Sequence, residues 1–125
     1  MNGKEEFINN FKKKTKCLAL NILELNKILP KNREGNVIGK QLIRSGTSVA
    51  ANYRAMCRAR SSKEFYSKIS LTLEEADETL FWLELIEESK LIGKTSKFYD
   101  TKQLADEIVS VLTTARKKSS MNLKK

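Results

Sequence analysis

The chain has 125 residues and a formal charge of +9, with one proline, five glycines, two cysteines and no histidine. That length suits one domain with a continuous core, and chain breakers this rare exclude an all-β sandwich with its frequent turns. The missing histidine removes the usual general base, the standard Ser/His and Cys/His pairs and the commonest metal ligand.

The charge is unevenly placed: residues 1–73 carry 15 Lys/Arg against 5 Asp/Glu, and residues 74–125 carry 9 against 10. A basic half favours a polyanion as partner, and equally allows the acidic half of a second copy. The N-terminus lacks the apolar run of a signal peptide, and no stretch approaches the ~20 apolar residues of a membrane span. A cytoplasmic protein with no membrane partner is expected. Cys17 and Cys57 lie inside apolar periodic segments rather than in paired spacings, which predicts reduced, buried thiols.

Phe11, Thr15, Leu18, Ile22, Leu25 and Leu29 alternate spacings of four and three, the pattern of one buried helical stripe, so a first helix is predicted over about 5–29. Pro30 stops it. The segment KNREGN then supplies a polar turn containing Gly35, and Asn36 is the expected N-cap of a second helix over about 36–60. At ~100° per residue, Lys40, Arg44, Thr47, Ala51, Arg54 and Arg58 fall within about 80° of one another, and Ile38, Leu42, Gly46, Val49, Tyr53 and Met56 fall opposite. The second helix therefore buries one face and offers a row of positive charge about 27 Å long from the other.

Ser61 followed by Glu64 reads as a capping box opening a third helix over about 62–90, with Phe65, Ile69, Leu73, Ala76, Leu80 and Leu83 as its core stripe. Gly93 suits the turn past its end. Thr95 or Ser96 can cap a fourth helix over about 96–118, carried by Phe98, Thr101, Leu104, Ile108, Val111, Leu112 and Ala115. Residues 119–125 are expected to fray. Short connections join antiparallel neighbours, so the expected fold is an all-α, up-down-up-down four-helix bundle forming one domain over residues 1–125.

The third helix has more apolar surface than one core needs. Leu71, Phe81, Trp82 and Leu85 project from the stripe, and Glu74, Asp77, Glu78, Glu84 and Glu88 border them. Two readings are open: Trp82 wedges between helices three and four as core, or this face is a subunit contact. In the second reading the acidic border meets the basic row of a neighbour, and unlike surfaces in contact close into a ring.

Three stretches in succession, IRSGTSVAAN at 43–52, RARSSKEFY at 58–66 and EEADETLFWLEL at 74–85, resemble the bacterial four-helix bundle proteins also called ribosomal RNA intervening-sequence proteins, which are related to retroelement accessory proteins. The likeness covers about residues 5–118. Ala50 stands where many relatives carry proline or glycine. The resemblance implies an antiparallel bundle assembled as a homopentamer, and basic surfaces that contact RNA or DNA. It implies no catalytic residues and no cofactor, and it extends the expected partners to a nucleic-acid enzyme.

The residues agree that chemistry is absent. Glu74, Glu75 and Glu78 echo carboxylate-rich di-iron bundles, which need a Glu-x-x-His on two helices, and none exists here. Ser45, Gly46, Thr47 and Ser48 fall mid-helix without a GxxxxGK[ST] or GxGxxG, so close helix packing at Gly46 is the better reading. The expected function is non-specific nucleic-acid binding through Lys40, Arg44, Arg54 and Arg58, joined by Lys12, Lys13 and Lys16, with Leu71, Glu74, Glu78, Phe81, Trp82 and Leu85 forming the oligomer contact. The alternative is a structural or protein-interaction scaffold whose basic row is consumed by subunit pairs.

Overall fold

The computed structural model describes residues 2–123. Among them the regular elements are four α-helices: α1 (Gly3–Ile28), α2 (Arg33–Met56), α3 (Ser62–Glu88) and α4 (Ser96–Leu123).

Local chemistry sets each boundary. The Asn2 side chain accepts a hydrogen bond from the Glu5 N–H at 2.8 Å, opening α1, and Leu29 turns extended ahead of Pro30, as a residue before proline must. The N-cap of α2 is Asn32 rather than Asn36: its side chain accepts from the Gly35 N–H at 2.8 Å, and the Asn36 N–H makes an ordinary bond to the Asn32 carbonyl at 2.9 Å. The earlier start brings Gly35 under the Pro30 carbonyl, where a Cβ would collide with the oxygen.

The second helix also ends four residues early. The Arg58 and Ala59 N–H groups reach back three residues, to Ala55 and Met56 at 3.1 Å each, which tightens the last turn and releases Ser61 to extend. Ser61 Oγ accepts from the Glu64 N–H at 3.0 Å as expected, while the Glu64 carboxylate lies 3.6 Å from Arg60 Nε.

Lys90, not Gly93, takes the left-handed conformation after α3, at φ 56°. The Lys90 N–H reaches the Glu87 carbonyl (3.1 Å) and the Leu91 N–H reaches that of Ile86 (3.2 Å), so the departing carbonyls are satisfied without a glycine. Thr95 caps α4 by accepting from the Phe98 N–H at 3.1 Å. The expected frayed tail is helical as far as Leu123, and residues 124–125 lie outside the described residues.

On α1 and α2 every expected core residue is buried. On α3 the buried line runs Ile69, Thr72, Ala76, Thr79, Leu83 and Ile86, displacing Phe65, Leu73 and Leu80 to half-buried positions between neighbouring helices. On α4, Leu104, Val111 and Ala115 give way in the same manner to Ala105 and Ser119. Threonine fits the centre because its hydroxyl bonds back within its own helix: Thr72 to the Lys68 carbonyl at 2.8 Å, Thr79 to that of Glu75 at 2.7 Å. Cys17 is exposed, one position off the stripe at Leu18, and Cys57 is half-buried, so the expected pair of buried thiols is not formed.

Each helix packs on the next in chain order, and α4 closes more sparsely on α1. As α1 advances, its contacts on α2 retreat. Phe11 meets the Tyr53 ring edge-on at 4.8 Å, Ile22 lies beside Gly46, and Asn26 lies beside Gly39. The same order relates α3 to α4, where Ser70 meets Arg116 and Glu87 meets Lys102. The closing seam joins Lys14 to Glu107 and Asn21 to Lys97.

Candidate nucleic-acid interface

Lys40, Arg44 and Arg54 stand exposed on α2, on the face away from the core, and Arg58 stands exposed in the turn that follows it. Their surroundings divide them. Arg44 leans toward α3, where Nη1 lies 3.2 Å from Glu75 Oε2 and Nη2 is paired with Glu78, while Nε donates to Gln41 Oε1 at 3.0 Å. Glu78 is further engaged by the Trp82 Nε1–H at 3.0 Å. Arg44 is therefore held by carboxylates of its own chain.

Arg54 and Arg58 lean the other way. Turning Phe11, Thr15 and Leu18 inward leaves Lys12, Lys13 and Lys16 on the outer flank of α1, opposite the last two turns of α2. Between the two flanks lies a groove of about 490 Å³, walled by Lys12, Lys13 and Lys16 on one side and Arg54 and Arg58 on the other. Its floor is Thr15, Ala50 and Ala51. The short alanine side chains create the recess, and the Thr15 hydroxyl is turned away into the Lys12 carbonyl at 3.0 Å. Among the described residues no ion pair involves any of these five cations, whereas the neighbouring Lys14 is paired with Glu107 of α4. Lys40 lies ~21 Å along the axis from Arg54 and outside the groove.

The residues expected at the oligomer contact also separate. Leu71 and Phe81 are exposed, at 45% and 51%, and Glu74 is exposed beside them. Glu78, Trp82 and Leu85 are half-buried, and Trp82 and Leu85 pack against the core. The indole N–H is committed to Glu78, the carboxylate that also holds Arg44.

No group of three or more His, Cys, Asp or Glu that could hold a metal occurs among the described residues. The Tyr53 phenol is pushed well above its ordinary range by burial and by the adjacent Cys57, so it stays neutral within the core. Sequence reasoning missed Arg116, whose Nε and Nη2 reach Ser70 Oγ (2.9 Å) and Tyr66 Oη (2.7 Å) and whose guanidinium lies 4.9 Å over the Tyr66 ring. It clamps α4 to α3. The recess itself was signalled by adjacent alanines opposite a lysine cluster, a pattern visible only once the two helices are set in register.

The sequence matches the profile of the family described as 23S rRNA-intervening sequence protein over residues 9–114. The chain belongs to that family. The matched span includes all five groove cations. A crystal structure of a protein of unknown function from the S23 ribosomal protein family, from Bacteroides thetaiotaomicron, is similar with a TM-score of 0.77 and 34% identity. The alignment covers 88% of this chain and 97% of that one. No curated protein matches the chain.

Proposed function

We propose that this member of the family is a non-catalytic, oligomeric four-helix bundle that binds RNA or DNA without sequence preference through the groove between α1 and α2. The observation that carries the reading is the set of five cations facing one recess with no carboxylate paired to them, on a chain of net charge +9. Unpaired cations around a concave surface concentrate positive potential, and phosphate neutralisation releases condensed counterions. The name of the matched family and the ribosomal family of the Bacteroides protein point toward the same class of partner.

The opposed contact order of neighbouring helices supports an antiparallel up-down-up-down bundle. Exposed Leu71 and Phe81, bordered by Glu74, support a ring of identical copies, which would multiply weak phosphate contacts. No helix of the described residues is long and apolar enough to cross a membrane, which fits a cytoplasmic protein.

Binding of a labelled RNA, followed by anisotropy across a salt series, tests the reading. Affinity should fall steeply with salt, and Arg54→Glu with Arg58→Glu should weaken it by about 10-fold or more at fixed salt with the circular dichroism spectrum unchanged. Binding by that double variant equal to the parent's would overturn the proposal in favour of a scaffold.

A further inference from the structure

The α3 side of α2 changes character along its length. At Arg44 it is acidic, with Glu75 and Glu78 paired to the arginine. Lys68 stands seven residues before Glu75, two turns along the same stripe of α3, on the flank that faces α2. The two helices run past each other from the Ser45–Thr79 contact to the short turn at 57–61, which sets Lys68 level with about Met56, between Arg54 and Arg58. Lys68 is half-buried, and Lys63 is exposed in the first turn of α3. Among the described residues no ion pair involves either lysine.

Carboxylates are scarce around this end of the molecule. Residues 7–23 and 45–61 carry none, and residues 62–73 carry Glu64 alone, which lies 3.6 Å from Arg60 Nε. Unpaired cations therefore stand on both sides of the last turns of α2: Lys12, Lys13 and Lys16 across the α1 groove, Lys68 and Lys63 across the α3 seam. Among the described residues α2 touches both α1 and α3, while α1 and α3 do not touch each other, so α2 is a corner ridge between two receding shoulders. With neighbouring axes ~8–10 Å apart, the diagonal from α1 to α3 is about 11–14 Å.

From this placement we infer that the ligand is a double helix rather than a single strand, seated with the end of α2 in its groove. One backbone lies in the α1–α2 groove and the other over Lys68 and Lys63. This rests on the nucleic-acid reading above and names its ligand class. The major groove of B-form DNA is ~12 Å wide and admits an α-helix, which matches the separation of the two cationic shoulders. Between the arginines the outward face of α2 is Thr47, Ala51 and Ala55, small side chains that let the ridge enter. A single strand brings one backbone and leaves the second set of cations without phosphates. Its unpaired bases also find no aromatic side chain to stack on in the α1–α2 groove, whereas the bases of a duplex stack on one another.

The test compares a DNA hairpin with a non-pairing single strand of equal phosphate count, by anisotropy across a salt series. The hairpin should bind about 10-fold tighter. Lys63→Gln with Lys68→Gln should lower the hairpin's slope of log affinity against log salt by about 0.9 to 1.8, one or two contacts at ~0.9 each, and leave the single strand's slope unchanged.

A single strand bound as tightly as the hairpin, or a hairpin slope unchanged in the lysine variant, would overturn the double-helix assignment. If binding still collapses in the Arg54→Glu, Arg58→Glu variant, the broader nucleic-acid reading survives that failure. A parent protein that binds neither form overturns both.

Discussion

The two flanks of α2 solve the same problem by opposite means. Toward α1 the helix comes close because glycines stand at 39 and 46, where an added Cβ would meet Asn26 and Ile22, and the cations above that seam are left without partners. Toward α3 the seam is polar: Ser45 and Thr79, both fully buried, bring their hydroxyl oxygens within 3.0 Å, and the arginine above them is neutralised by Glu75 and Glu78. A helical wheel puts Arg44 and Arg54 on one face and cannot tell them apart. What separates their roles is which neighbouring helix supplies, or withholds, a carboxylate.

The harshest way to break this contrast is at the glycine seam. Gly46→Leu would drive a branched side chain into Ile22, a residue with no exposed surface, and overpacking of this kind should cost about 3 kcal/mol. Urea unfolding should show a lower midpoint at unchanged slope. Ala51→Leu, on the exposed face of the same helix, should shift stability by less than about 0.5 kcal/mol. Equal losses at the two positions would show that the approach of α1 to α2 is not what Gly46 secures.

The second test compares the arginines directly. Arg54→Gln should weaken RNA binding several-fold and lower the salt slope by about 1, whereas Arg44→Gln, removing a cation already spent on Glu75 and Glu78, should leave the slope where it was. Matching slopes for the two variants would erase the distinction between the flanks.

That distinction marks the limit of what the residues disclosed alone. Every position expected on the buried faces of α1 and α2 is buried, because those residues keep strict helical spacing, although Gly39 and Ser45 of α2 are buried as well. On α3 the spacing of Phe65, Leu73 and Leu80 was equally regular, yet the centre went to Thr72 and Thr79. Their hydroxyls are satisfied within the helix, so a hydrophobicity pattern undervalues them. Boundaries slipped where two residues competed for the same position, Asn32 against Asn36 as a cap and Lys90 against Gly93 for the left-handed turn. Both were settled by neighbours, the Pro30 carbonyl in one case and the carbonyls of Ile86 and Glu87 in the other. The groove is a property of two helices in register, so neither helix announces it.

A smaller effect probes the polar seam. Thr79→Val keeps the shape of the side chain but removes its contact with Ser45, and the Ser45 hydroxyl retains only a 3.4 Å approach to the Leu42 carbonyl. A loss of about 1 kcal/mol is expected, read from chemical denaturation. Thr79→Val together with Ser45→Ala should recover part of it, since no buried hydroxyl is then left short of a partner. A double variant less stable than the sum of the singles would rule out the hydrogen bond as the reason for the threonine.

The smallest effect concerns a cation that, unlike those in the groove, is held. Lys102 lies 2.6 Å from Glu87 across the α3–α4 seam, and that hydrogen bond, opposed by some burial and helped by the charges of Glu87, Glu84 and Glu88, raises the lysine's pKa above its ordinary value. A lysine titrating higher when folded than when unfolded stabilises the fold as long as it is charged in both states. The contribution is complete below the unfolded lysine's pKa of about 10.4 and disappears as pH climbs through the raised folded value. The stability difference between the parent and Glu87→Gln should therefore be flat from pH 7 to 9 and shrink above about pH 10. A gap that stays constant through pH 11 would mean Glu87 acts by packing rather than by holding the ammonium.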